Sequence, residues 1–349
     1  MITSESLKKT LGTKIPLNFG SDGKFRVLLF SDIQCEENGD PRTLEAMEKI
    51  VADKMPDLVL WGGDNPHSAP DRESFLRMIG KFAGPMESRN IPWALTYGNH
   101  DDVMCTEMTV AEVEKTLEEE FPCCVSKTVE GIHGVSNYVL PVYSAGDKEK
   151  IALNIFSLDT GRKLRDLHLD CDLKVENIRE AVKLEEAPLG LRNGFDIIRF
   201  DQLMWYWNTS SEIEKENGKT PAIMLTHYCP HEHIAVKKNP EATEMTGEFP
   251  ESISPGAINP GLFATVLQRG DVMGMYFGHN HRNSAEGKYC GIRLGYIGCI
   301  GFDAYGFKSD LDSERHRLRG ARLLTFDESD IENYTSEFIL ASDYIEFRD

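Results

Sequence analysis

Five short polar stretches carry side chains that ligate divalent cations. They are Ser31-Asp32-Ile33-Gln34, Gly63-Asp64-Asn65, Gly98-Asn99-His100-Asp101, Thr226-His227 and Gly278-His279-Asn280-His281. Together they offer carboxylate, carboxamide and imidazole groups, the oxygen and nitrogen donors that suit first-row divalent metals. Gly62, Gly63, Gly98 and Gly278 let the backbone turn sharply and approach an ion closely. Singly, each stretch says little. An Asp after an apolar run is ordinarily a cap or turn residue, and a His-x-His in a loop is ordinarily solvated. Five such stretches in a fixed order, each after an apolar run, point to one shared metal site.

The elements that must position these loops follow from the pattern of apolar residues. Short apolar runs over 25–30, 58–61, 91–96, 222–226 and 272–277 read as strands, each ending where a ligand-bearing loop begins. A helical pattern over 41–54 places Leu44, Met47 and Val51 at helical spacing, and a second runs over 71–86. The rhythm of strand, loop and helix predicts an α/β layered sheet, in which ligands sit at the carboxyl ends of the strands. Farther along, 136–142 and 150–158 read as paired strands and 200–214 as a helix. The charged, weakly amphipathic stretch 161–194 reads as an insertion, and closing strands are expected from 322 onward.

Composition narrows the function classes. The chain has 349 residues, 40% hydrophobic and 27% charged, which is globular usage. No apolar run approaches the roughly 18 residues of a membrane span, so no membrane partner is expected. The first twenty residues carry lysines but no following apolar stretch of a signal peptide, so the chain reads as cytosolic, or as a mature chain already trimmed. A net charge of −19 argues against nucleic acid, because phosphate backbones are held by Lys and Arg clusters. A small phosphorylated substrate stays compatible, since bound cations reverse the local sign of an acidic site. The eight cysteines show no repeated spacing and read as free thiols rather than a disulfide framework or zinc ribbon.

The order D-x-(H/Q), GDN, GNHD, strand-end His and GHxH resembles the calcineurin-like metallophosphoesterase superfamily over about 25–306. Three further stretches are similar to its purple-acid-phosphatase-like branch of plants and fungi with bacterial relatives. They are Phe200-Asp-Gln-Leu-Met-Trp205, Pro260-Gly-Leu-Phe-Ala-Thr-Val-Leu267 leading to Gly270-Asp-Val272, and Gly301-Phe-Asp-Ala-Tyr-Gly306. The resemblance implies a four-layer αββα sandwich, with an N-terminal extension over 1–24 and a single domain over 25–349. It further implies two divalent ions, the first held by Asp32, Asp64 and His281, the second by Asp64, Asn99, His227 and His279. A hydroxide between them would attack phosphorus, His100 would assist the leaving oxygen, and Asp101 would hold the His100 ring. A shared carboxylate brings two cations to about 3.5–4 Å, which acidifies water and neutralises phosphoryl charge.

Two positions depart from that pattern. Gln34 stands where the family usually has His; as a ligand it would be a harder and weaker donor than imidazole. An oxygen-rich first site favours Mn²⁺ or Fe, with Mg²⁺ and Zn²⁺ as alternatives. The alternative reading has Gln34 only filling space beside a weakened or vacant first site. His67 occupies the place of the iron-binding Tyr of purple acid phosphatases, so a colourless enzyme on divalent ions is expected. Three readings stay open: a phosphomonoesterase or phosphodiesterase, a nucleotide pyrophosphatase, and a silent binding module. His231, His233 and Arg282 are candidates to face substrate, while Cys35, Cys229 and the aromatic run 205–207 read as bystanders or packing.

Overall fold

The computed structural model describes residues 4–162 and 194–349, so the expected insertion lies almost wholly outside the described residues. The strands, in chain order, are β1 (Leu17–Asn18), β2 (Lys24–Phe30), β3 (Leu58–Gly62), β4 (Trp93–Thr96), β5 (Tyr138–Tyr143), β6 (Ile151–Ser157), β7 (Ala222–Leu225), β8 (Val272–Phe277), β9 (Glu286–Tyr289), β10 (Ile292–Tyr296), β11 (Gly320–Asp327) and β12 (Thr335–Leu340). They form two sheets, one ordered β1-β5-β6-β7-β8-β10-β9 and the other β12-β11-β2-β3-β4. Strands β2, β3 and β4 run parallel in the smaller sheet, as do β6, β7 and β8 in the larger.

Period-two alternation sorts the apolar side chains into layers. In β2, Phe25, Val27 and Leu29 enter the core between the sheets, while Leu28 and Phe30 face the opposite way. In β3, Leu58 and Leu60 face the other sheet, and Val59 and Trp61 the helices. The larger sheet matches: Ile223 and Leu225 of β7 point inward, and Ala222 and Met224 outward. Both faces are buried, which is why these strands read as continuous apolar runs rather than alternating ones.

Helices cover both outer faces. Against the smaller sheet pack the helices Pro41–Lys54, Arg72–Glu87 and Val110–Glu120, through residues such as Met47, Ile50, Phe75, Ile79, Val113 and Leu117. Against the larger sheet pack Glu5–Leu11, Phe200–Asn217 and Leu262–Arg269, through Leu7, Leu11, Tyr206, Ile213, Phe263 and Val266. The result is helices, sheet, sheet, helices: the four-layer αββα sandwich. Asp40 caps Pro41–Lys54 by accepting from the Arg42 amide, and Asp71 caps Arg72–Glu87 by accepting from Ser74. Residues 5–18 supply the first helix and the edge strand β1, which pairs in parallel with β5. Among the described residues no helix is long and apolar enough to cross a membrane, and the seven described cysteines are free.

Candidate metal centre

The five ligand-bearing loops leave the carboxyl ends of β2, β3, β4, β7 and β8, three from one sheet and two from the other. Main-chain bonds stitch them together. The Asp32 amide donates to the Gly63 carbonyl at 2.9 Å and the Gln34 amide to the Asp64 carbonyl at 3.1 Å. Asp32, Gln34, Asp64 and His279 adopt φ of 53°, 39°, 53° and 72°, a left-handed conformation that non-glycine residues hold only where the surroundings enforce it. A Cβ on Gly98 would collide with the Asp64 carboxylate and amide, so only glycine lets these two loops meet.

Asp64 lies at the centre. Its Oδ1 is 3.4 Å from His227 Nε2 and accepts the His100 amide at 2.9 Å. Asp32 accepts the His279 amide on both oxygens, at 3.1 and 2.9 Å, and its Oδ1 lies 3.1 Å from His281 Nε2. His227 Nδ1 is 2.9 Å from the Gly62 carbonyl, which directs Nε2 toward Asp64 and toward Asn99 Oδ1 at 3.3 Å. The donor atoms of Asp64, His227 and His279 all lie within 4.8 Å of one another, and so do those of Asp32, Asp64 and His281. Asp64 belongs to both groups.

The electrostatics fit cations. Burial alone would raise both carboxylates, yet the histidines around them hold Asp64 and Asp32 below the usual carboxylate range. Burial likewise opposes a charged imidazole, but Asp64 pushes His227 up to about 9. Cys299 and Asp32 push His281 up to about 10. His279, ringed by Phe195, Tyr228 and His227, is lowered by burial to about 3. The carboxylates thus gather positive charge from imidazoles, and a divalent cation would replace those protons. Two carboxylates, one shared, with imidazole and carboxamide donors, suit a pair of divalent ions.

Several expected residues take other positions. Gln34 is present at the site, but its Nε2 donates to Asp64 Oδ2 at 2.6 Å; the amide nitrogen, rather than the ligating oxygen, faces the shared carboxylate. Asp101 does not hold the His100 ring. Its oxygens accept the amides of Asp64 (3.0 Å), Asn65 (2.8 Å) and Gly98 (2.6 Å) and the Asn65 side chain (2.9 Å), because buried backbone donors claim it first. His100 sits half-buried at the rim, its ring 6.5 Å from that of His67. His233 faces no substrate: it is buried among Phe249, Phe277 and Tyr296. Arg282 pairs with Glu251. Of the aromatic run, Trp205 and Tyr206 pack against Phe156, with Tyr206 bonded to Asp271, while Trp207 is exposed.

Sequence reasoning missed three neighbours of the site. Tyr305 stacks on His281 with ring centroids 4.0 Å apart and planes within 15°. Cys299 donates its thiol hydrogen to the Asp32 carbonyl at 3.3 Å, and the Arg162 guanidinium lies over the Tyr97 ring at 5.0 Å. The stretch 301–306 was visible as a motif, but nothing local marks Cys299 or Arg162.

Comparison with known proteins agrees with this geometry. A family profile described as calcineurin-like phosphoesterase matches residues 25–283. Two Arabidopsis thaliana proteins, named probable inactive purple acid phosphatase 14 and probable inactive purple acid phosphatase 29, are 27% and 26% identical to this chain. Each alignment covers 83% of this chain, and 74% and 75% of the respective relative. The crystal structure of a dimetal phosphatase from Danio rerio superposes with a TM-score of 0.54 at 11% identity, covering 93% of this chain and 98% of that one; the likeness is one of fold.

Proposed function

This chain belongs to the calcineurin-like phosphoesterase family, and from that premise we propose that it hydrolyses a small phosphorylated substrate at the site built around Asp64. The observation that carries the reading is the sharing of Asp64 between two three-residue donor clusters. Asp32 and His281 complete the first cation site; Asn99, His227 and His279 complete the second. Mn²⁺ or Fe is the favoured pair, on the strength of the oxygen-rich first site. When bound, the two ions supply Lewis-acid stabilisation of phosphoryl charge and lower the pKa of water.

The protein's own groups do the rest. The His279 amide fixes both Asp32 oxygens, and the Gly62 carbonyl fixes the His227 ring, so the donors are set before any ligand arrives. His100 is anchored through its amide on Asp64, and its ring makes no hydrogen bond among the described residues. That leaves its ring nitrogens free to give a proton to the departing oxygen. Asp101 acts at one remove, holding the amides of Asp64, Asn65 and Gly98 in place.

A silent, metal-holding protein is the competing reading. It is supported by the Gln34 amide nitrogen lying at Asp64 and by the word inactive in the names of the Arabidopsis relatives. One experiment separates the two. The protein is loaded with Mn²⁺, Zn²⁺ or Mg²⁺ and offered an aryl phosphate, a bis-aryl phosphate and ADP-ribose, with Asp64→Asn as control. Turnover that Asp64→Asn lowers by about a thousandfold or more supports hydrolysis. Metal uptake with no turnover of any of the three supports the silent reading. Turnover of ADP-ribose alone would shift the substrate to a nucleotide diphosphate.

A further inference from the structure

Asp32 and His281 are each held by a group outside the donor set, and one buried guanidinium holds both groups. Arg319, 2% exposed, immediately precedes β11 and makes no ion pair with a carboxylate among the described residues. Its Nη1 donates to the Cys299 sulfur at 2.7 Å, and its Nη2 to the carbonyls of Ala304 and, at 3.0 Å, Tyr305. Its Nε donates to His316 Nδ1 at 3.2 Å. Burying a cation away from any counter-charge is costly, and a residue needed only to fill this space would be apolar.

What Arg319 holds is what touches Asp32 and His281. The Cys299 thiol is fully buried and donates to the backbone carbonyl of Asp32, whose carboxylate faces His281 Nε2. The Tyr305 ring lies flat on the His281 imidazole, and its hydroxyl donates to Glu251 Oε1 at 2.8 Å while accepting the His281 amide at 3.4 Å. His281 Nε2 faces Asp32, whereas Nδ1 is buried with no partner meeting hydrogen-bond geometry. Imidazole ligands ordinarily have their second nitrogen held by a carboxylate or carbonyl. Here a stacked phenol takes over the task of fixing the ring.

We infer that Arg319 is a positioning residue for the first cation site, acting on Asp32 through Cys299 and on His281 through Tyr305. The inference rests on the proposed dimetal reading and adds to it a support that lies wholly outside the ligands.

The test is a Mn²⁺ titration of the full chain by calorimetry, resolving two binding steps, on the wild type and on Arg319→Lys, Cys299→Ala, Tyr305→Leu and Tyr305→Phe. First-site affinity is expected to fall roughly 10- to 100-fold in Arg319→Lys, Cys299→Ala and Tyr305→Leu, with the second site unchanged. Tyr305→Phe, which keeps the stacked ring, should recover most of the loss seen in Tyr305→Leu. Adding Arg319→Lys to the Cys299→Ala, Tyr305→Leu double variant should cost nothing further at the first site, since groups acting through one another are not additive. Should Arg319→Lys not fold, the Cys299→Ala and Tyr305→Leu titrations decide alone. Unchanged first-site affinity in both, or an equal fall at both sites, overturns the inference while the dimetal reading stands. A wild type that takes up no Mn²⁺ overturns both.

Discussion

Gly98 shows how little room the donors have. The Asp64 carboxylate and amide occupy the space a side chain at 98 would need. Gly98→Ala should therefore displace Asp64 and weaken Mn²⁺ binding at both sites by tenfold or more, by analogy with disturbed supporting groups, as read by equilibrium dialysis. Gln34→His is expected to act in the opposite direction. It exchanges an amide that donates to Asp64 for an imidazole donor, and should raise first-site affinity roughly tenfold in the same assay. At this scale the sequence discloses residue types well and orientations poorly. Asp32, Asp64, Asn99, His227, His279 and His281 lie together. Which atom of Gln34 faces the site, and which donors claim Asp101, depends on backbone brought in from other loops. Arg319 and Cys299 come together only in three dimensions.

Elements were legible in proportion to their length and burial. The strands β2, β3, β7 and β8 are apolar on both faces and so announce themselves as continuous runs. A two-residue strand such as β1 has no periodicity to read. Helix Val110–Glu120 carries a local signal of another kind: the Thr109 hydroxyl accepts the Glu112 amide while the Glu112 carboxylate accepts the Thr109 amide. Thr109→Ala removes half of that box, and about 1 kcal/mol of stability should go with it, measured as a lower urea midpoint with unchanged slope. Metal affinity should not move, because this helix covers the outer face of the smaller sheet rather than the site.

For the whole molecule, the stability of the folded state should depend on pH through a carboxyl far from solvent. Glu114 is 4% exposed and accepts the Tyr97 hydroxyl at 3.0 Å. Burial pushes it from 4.5 up to about 8. The folded state therefore keeps a proton that the unfolded chain gives up, so this contribution is complete below pH 4.5 and fades as pH rises through about 8. Glu114→Gln cannot ionise. Chemical denaturation should find it matching the wild type near pH 4.5 and exceeding it above pH 8, by roughly 1 kcal/mol or more, since each pKa unit is worth about 1.4 kcal/mol. Equal pH slopes for the two proteins would place the proton elsewhere.

Strand β1 contributes two residues to the larger sheet, yet it lies along the outer side of β5, where Leu17 pairs with Val142 and the Phe19 amide reaches the Tyr143 carbonyl at 2.9 Å. A chain shortened past Phe19 would keep every side chain of the candidate metal centre and lose this guard. The bared rim of β5 would then offer unpaired amides and carbonyls to the same rim on another copy, inviting self-association into ribbons. The opening residues thus shield a sheet edge while also packing Leu7, Leu11, Leu17 and Phe19 into the core.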